Sequence, residues 1–180
     1  MTDEALFLGL QRGSDAAFRS LYERYRLPLF RFAWRLTGSV GAAEDLVQDC
    51  FVDLFRGGYD AARGSLRTYL YAAVRNLARK HFRRIGREDP ADDFEEAEDG
   101  SRSPLEALVS RQTSDEVNQA VEALPLLQRE VLVLFEYEEL PLDEIAKIVG
   151  AEVGAVKSRL HRARERLRQA LVPAMKGSAQ

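Results

Sequence analysis

At 180 residues and 20.3 kDa the chain suffices for one medium domain or two small ones, and 46% apolar against 31% charged residues excludes wholesale disorder. Its apolar runs are too short for a bilayer span, and the acidic start Met-Thr-Asp-Glu-Ala-Leu lacks the basic flank and apolar stretch of a signal peptide, so the chain reads as soluble and cytoplasmic. One cysteine, Cys50, excludes an internal disulfide or multi-cysteine zinc site, and His81 and His161 are too few for a metal cluster, so neither metal nor cofactor is expected.

In chain order, nearly every periodic segment has helical spacing, and no stretch alternates with period two. From Asp15, Phe18, Leu21, Tyr22, Tyr25, Leu29, Phe32 and Leu36 keep one face. Pro28 is expected to kink this segment or start a second helix, and Gly38 to cap its end in a left-handed conformation. Leu46, Val47, Cys50, Phe51, Leu54 and Phe55 form the stripe of a second helix, which Gly57-Gly58 ends. Ser65 is the expected N-cap of a long helix that buries Leu66, Leu70, Ala73, Val74 and Leu77 and runs to about Arg84.

Residues 86–104, with Gly86, Pro90, Gly100 and Pro104, read as a flexible, self-repelling linker. Beyond them Val117, Ala120, Val121 and Leu124 mark a helix that stops before Pro125. Leu127, Val131, Leu134 and Phe135 mark the next. Pro141 introduces a short helix with Ile145, Ile148 and Val149, which Gly150 ends, and a last helix runs from about Val153 to Leu171. The expected fold is all-α: two small helical domains, residues 1–86 and 113–175, joined by an acidic linker over 87–112.

The formal charge of −3 hides this partition. Residues 1–87 carry 15 Lys/Arg against 9 Asp/Glu, a net of +6; residues 88–100 carry eight acids and no base; residues 101–180 net −1. Within the last part, Lys157, Arg159, Arg162, Arg164, Arg166 and Arg168 face Glu165 alone over residues 157–168. Two cationic helical stretches separated by an acidic bridge make nucleic acid a candidate partner.

The short helix, glycine turn and longer basic helix suggest helix-turn-helix. At about 100° per residue, Val153, Val156, Leu160, Ala163 and Leu167 share one stripe. Gly154, Ser158, His161 and Glu165 point away from it with Arg162 beside them, flanked by Lys157 and Arg164 on one side and Arg159 and Arg166 on the other. A polar centre between cationic shoulders suits a major groove, the centre meeting bases and the shoulders phosphates. The plainer alternative is a solvated basic face.

On the helix after Ser65, Thr68, Arg75, Asn76, Arg79 and Arg83 are expected outward, with Tyr69 and Tyr71 on opposite flanks. Cations beside aromatics suit melted strands, whose bases stack on rings; ordinary rim residues are the competing reading. On the segment after Ala43, Glu44, Asp45, Gln48 and Asp49 form an acidic patch inside a basic domain. Helix-dipole complementation suffices for Glu44 and Asp45, whereas Gln48 and Asp49 lie further in, where a protein-binding surface competes.

Together these segments resemble a bacterial sigma factor of the extracytoplasmic-function group, in the sigma-70 family. Residues 18–38 (FRSLYERYRLPLFRFAWRLTG), 43–56 (AEDLVQDCFVDLFR) and 64–84 (GSLRTYLYAAVRNLARKHFRR) are similar to its region two. Residues 124–134 (LPLLQREVLVL) and 140–167 (LPLDEIAKIVGAEVGAVKSRLHRARERL) resemble its region four. The resemblance implies a non-enzymatic initiation factor that binds core RNA polymerase and directs it to promoter DNA. It implies that Glu44, Asp45, Gln48, Asp49 and Phe51 meet the clamp of the largest polymerase subunits, and that Thr68, Tyr69, Arg75, Asn76, Arg79 and Arg83 open and hold the minus-ten element. It also implies that Gly154, Lys157, Ser158, His161 and Arg162 read the minus-thirty-five element, with Arg159, Arg164 and Arg166 on phosphates, and that an anti-sigma protein is a partner. Tyr69 stands where the family often has tryptophan, and Ala155 where a threonine hydroxyl is common.

The acids Asp89, Asp92, Asp93, Glu95, Glu96, Glu98 and Asp99 are read as a polyanion competing in a nucleic-acid channel, a shield for the cationic domain, or a solvated spacer. The competing function is a conventional helix-turn-helix regulator with a sensing or dimerising N-terminal domain. A hydrolase or nuclease lacks a constellation, since His81 and His161 fall in separate domains.

Overall fold

The computed structural model describes residues 1–86 and 114–177, and all regular structure among them is helical. Two compact units divide at Arg87/Glu88. The acidic bridge, from Asp89 to Asp99, lies outside the described residues.

The first unit contains α1 (Asp3–Gln11), α2 (Asp15–Thr37), α3 (Val40–Phe55), a single 3₁₀ turn (Ala61–Arg63) and α4 (Leu66–Arg84). Each α-helix starts at a hydroxyl cap: Thr2, Ser14, Ser39 and Ser65 accept from Ala5, Ala17, Ala42 and Thr68 amides at 3.1–3.2 Å. Ser65 thus starts α4 as its sequence suggests, and Gly38 closes α2 at φ 69° with its amide on Trp34 O. Pro28 neither ends nor divides α2. A helix-interior proline costs roughly 3 kcal/mol, and here Leu21, Tyr25, Leu29 and Phe32, buried on both sides of it, hold the helix in one piece.

Helix α1 carries no sequence expectation above, although Thr2, Asp3 and Glu4 make a recognisable helix start and Leu6, Phe7 and Leu10 share a face. It packs on α2 with those three side chains buried, and Asp3 accepts hydrogen bonds from Arg24 and from the Tyr25 hydroxyl. The core of the unit is Leu21, Leu29, Phe32 and Leu36 of α2 against Leu46, Cys50 and Leu54 of α3 and Leu66, Leu70 and Val74 of α4. Desolvation, reinforced by the charge of Asp53, pushes the Cys50 thiol up to about 12.

The second unit contains α5 (Ser114–Glu122), α6 (Leu126–Leu132), a π-helical turn (Val133–Tyr137), α7 (Leu142–Val149) and α8 (Val153–Gly177). Helix α6 is its centre, packed against α7, α8 and the π turn. That position explains why Gln128, Arg129 and Glu130 are buried alongside Val131 and Leu132. Arg129 remains hydrogen-bonded there through Nη2 to Leu124 O at 2.8 Å. The expected continuous helix through Phe135 instead widens at Val133, whose carbonyl accepts from Glu138 N at 3.1 Å, leaving Phe135 half-buried. Pro141 precedes α7 and Gly150 ends it at φ 66°.

Candidate functional site

Three surfaces emerge, two on the first unit and one on the second. Between α2 and α3 runs an open groove of about 880 Å³. Phe51, 3% exposed, is its floor, with Phe18 at 6.2 Å and Tyr22 at 5.0 Å between ring centroids. Leu27, Val52 and Phe55 line it in solvent, Phe55 being 67% exposed. Glu44 and Gln48 form its rim, and Asp45 and Asp49 are exposed beside them on α3. A concave apolar surface with an acidic edge suits an amphipathic helix with an apolar stripe and basic margin.

One expectation changes here. Phe51 is buried as its stripe suggests, whereas Phe55, the last residue of α3, leaves the buried stripe and stays in solvent although the Phe18 ring of α2 approaches it edge-on at 6.2 Å between centroids. Phe55 is therefore the groove residue that stripe periodicity alone misassigns.

On α4, Asn76 and Arg83 are exposed and Thr68 and Arg79 half-buried. Arg75 is buried, 8% exposed, rather than outward, and its Nη1 donates to Asn76 Oδ1 at 3.4 Å. Tyr71 also leaves the expected flank and is buried against Phe32, with ring centroids 5.4 Å apart. The reason is common to both: α4 packs on α2 and α3 at once, so its covered arc is wider than a single stripe. The covered arc is also displaced from that stripe toward Tyr71 and Arg75, leaving Ala73 and Leu77 only half-buried.

Tyr69 is half-buried at the start of α4, its ring 5.4 Å from that of Tyr59 and its hydroxyl against Gly58. Burial pushes its hydroxyl pKa up, aided by Cys50 and Asp53. Thr68 takes part in the N-cap, its Oγ1 accepting from Ser65 Oγ at 2.9 Å.

In the second unit, α7, the Gly150 turn and α8 make the helix-turn-helix, with Ala151 N bonded to Ala146 O at 3.0 Å across the turn. Val156, Leu160, Ala163, Leu167 and Leu171 bury the inner stripe. Gly154, Lys157 and Arg166 are exposed, and Arg159, His161 and Arg162 half-buried. Three placements differ from expectation: Val153 is 36% exposed, Ser158 is buried at 6%, and Arg164 is held within the unit. Arg164 donates from Nε and Nη2 to Glu136 Oε1 at 3.0 and 2.7 Å, and its guanidinium lies 5.2 Å from the Phe135 ring centroid. Helices α5, α6 and α7 all pack on α8, so more of its circumference is covered than the inner stripe.

Among the described residues, no group of three or more His, Cys, Asp or Glu is placed to hold a metal, and no helix is long and apolar enough to cross a membrane.

Both halves match known families: residues 21–88 match Sigma-70 region 2 and residues 114–167 match Sigma-70, region 4. The RNA polymerase sigma-H factor of Pseudomonas aeruginosa is 31% identical over 97% of this chain and 96% of its own length. The ECF RNA polymerase sigma factor SigW of Bacillus subtilis is 31% identical over 90% and 92%, and the ECF RNA polymerase sigma-E factor of Escherichia coli K12 31% over 96% of each. Among solved structures, CnrH in complex with the cytosolic domain of CnrY aligns at TM-score 0.69 and 25% identity over 96% of this chain and 97% of that one. The sigma factor RpoE in complex with the anti-sigma factor NepR from Bartonella quintana aligns at TM-score 0.65 and 26% identity over 86% and 96%. A conventional regulator with an unrelated N-terminal domain does not account for a match that covers both units. With its groove-bearing first unit and helix-turn-helix second unit, the chain belongs to the extracytoplasmic-function RNA polymerase sigma factors of the sigma-70 family.

Proposed function

We infer that this chain is a transcription initiation factor that binds core RNA polymerase and directs it to promoters by reading the minus-ten and minus-thirty-five elements. The observation that carries this reading is the pairing, in one chain, of the acid-rimmed groove with a cationic helix-turn-helix. The chain supplies selectivity rather than chemistry: the polymerase grips DNA largely through phosphates, which hold no sequence information, and base contacts must come from elsewhere. It is accordingly not an enzyme, and it works in the cytoplasm where polymerase and promoters meet.

The core clamp would dock on the groove, its apolar side on Phe51 and Phe55 and its basic side on Glu44, Asp45, Gln48 and Asp49. Asn76, Arg79, Arg83, Thr68 and Tyr69 would meet the minus-ten strand, with Arg75 supporting Asn76 from beneath. Each captured base repays unpairing, a cost of a few kcal/mol, through stacking and pocket contacts. Gly154, Lys157, His161 and Arg162 would face the minus-thirty-five duplex, while Arg159 and Arg166 reach phosphates. Ser158 and Arg164 are turned to intramolecular roles by their burial and pairing.

An anti-sigma protein covering these faces is the further partner; the RpoE structure is of a complex with such a protein. The test is run-off transcription by purified core polymerase, with and without this chain, on a promoter library. New start sites that depend on both elements are expected, with the effect falling steeply as salt rises. A chain that neither binds core polymerase nor redirects it refutes the reading.

A further inference from the structure

The loop between α3 and α4 is anchored at almost every residue. Gly57 and Gly58 amides return to Leu54 O and Asp53 O at 3.1 and 2.9 Å. Asp60 Oδ1 accepts from Ala62 N at 2.9 Å, and Asp60 O from Arg63 N at 3.0 Å. Tyr59 closes the set: its hydroxyl donates to Gly64 O at 2.9 Å, one residue before the Ser65 cap of α4. The tip, Asp60 to Arg63, is exposed, whereas Tyr59 itself is 7% exposed.

The ring of Tyr59 meets two others. Phe7 packs on it in a T-shaped contact at 4.7 Å between centroids, and Tyr69 lies tilted to it 5.4 Å away. Phe7 belongs to α1, which Asp3 ties to Arg24 and Tyr25 of α2. Tyr69 in turn rests its hydroxyl on Gly58, where an added Cβ would collide with that hydroxyl and come within 2.9 Å of Asp53 O. The N-terminal helix, the loop and the first turn of α4 are thus one connected aromatic assembly.

We propose that Tyr59 is a positioning residue for promoter reading, joining α1 and the 57–65 loop to Tyr69 so that the start of α4 is ordered before DNA arrives. The proposal rests on the assignment of α4 to the minus-ten element. Too buried to meet a nucleotide directly, Tyr59 acts through what it holds. A loop already ordered in the free chain spares the ordering cost at capture, which leaves more of the contact energy to offset unpairing of the strand.

Tyr59→Phe keeps both ring contacts and removes only the hydrogen bond to Gly64. Open-complex formation is to be measured with the full chain and core polymerase on templates carrying an intact or a substituted minus-ten element. Wild type should discriminate between them, and Tyr59→Phe should shrink the discrimination ratio by about 3- to 10-fold, the effect of one hydrogen bond. Core affinity and salt slope should not change. Phe7→Leu, which keeps α1 apolar but removes the aromatic edge, should shrink the ratio in the same direction and less.

If Tyr59→Phe keeps the wild-type ratio, or lowers transcription on both templates equally together with the thermal midpoint, the residue is structural only and the inference is overturned. If wild type itself fails to discriminate the templates, the minus-ten assignment of α4 fails instead.

Discussion

Replacing Glu136 by Gln separates two possible uses of Arg164. Both Arg164–Glu136 bonds converge on one carboxylate oxygen, at 3.0 and 2.7 Å, with side-chain exposures of 21% and 16%. Hydrogen bonds to charged groups in such settings contribute roughly 1.5–3 kcal/mol, and the desolvation of both ions takes part of that back. Gln retains an acceptor but loses the charge, so the expected loss of stability is about 1–2 kcal/mol, and Glu136→Gln with Arg164→Gln should couple by a similar amount. Urea denaturation of the full chain measures it with two probes. Trp34, the single tryptophan, is in α2 of the first unit, whereas the pair is in the second. The loss should therefore appear in the far-UV circular dichroism transition and leave the tryptophan emission midpoint unchanged. Freed from Glu136, Arg164 gains access to phosphate, and the slope of log affinity against log salt should steepen by about one. A coupling below about 0.3 kcal/mol refutes the clamp. So does an Arg164→Ala change that flattens the wild-type slope by about one, since Arg164 would then already be on DNA.

Four further outcomes are expected. Phe55→Ser should alter folding stability by less than about 0.5 kcal/mol, because the ring is exposed, yet weaken core association about tenfold in a binding titration; unchanged association removes the apolar groove from the docking surface. Asp49→Lys should weaken the same association while leaving affinity for minus-thirty-five duplex unchanged. Glu139 adopts φ 53°, so Glu139→Gly should raise stability by about 0.5–1 kcal/mol, the left-handed penalty less the entropy cost of glycine; a lowered melting midpoint would contradict this. The Cys50 thiol is held protonated to about 12 against an ordinary 9.0. Its contribution to stability is complete below pH 9.0 and is lost as pH rises toward 12, because the unfolded thiol releases its proton first. Alkylation at pH 8 should accordingly be slow in the native chain and fast in urea, and equal rates would contradict the burial.

Much of the fold is legible along the chain because its signals are local. A serine before a periodic segment, as at Ser65, offers an oxygen to amides that lack partners, and glycines at Gly38 and Gly150 adopt the positive φ that ends a helix. Helical period likewise places Leu21, Leu46, Leu70 and Leu160 inside and leaves Glu44, Asn76 and Lys157 outside without reference to any neighbour. Helix α1 was available from the same signals, in Thr2 and the Leu6, Phe7, Leu10 face, but its shortness makes the pattern weak.

The sequence by itself determined which residues can form helices, where those helices stop, and that cationic and acidic surfaces occupy different segments. It did not determine the width of each buried arc. Arg75, Tyr71, Ser158 and the polar side chains of α6 are covered because two or three helices, distant in sequence, converge on one. Phe55 stays exposed because it ends α3 and meets Phe18 of α2 only edge-on, at 6.2 Å between ring centroids. Only the tertiary structure decided that Arg164 answers to Glu136 and that Tyr59 links α1 to Tyr69, since burial and pairing are properties of neighbours in space and periodicity describes a helix alone.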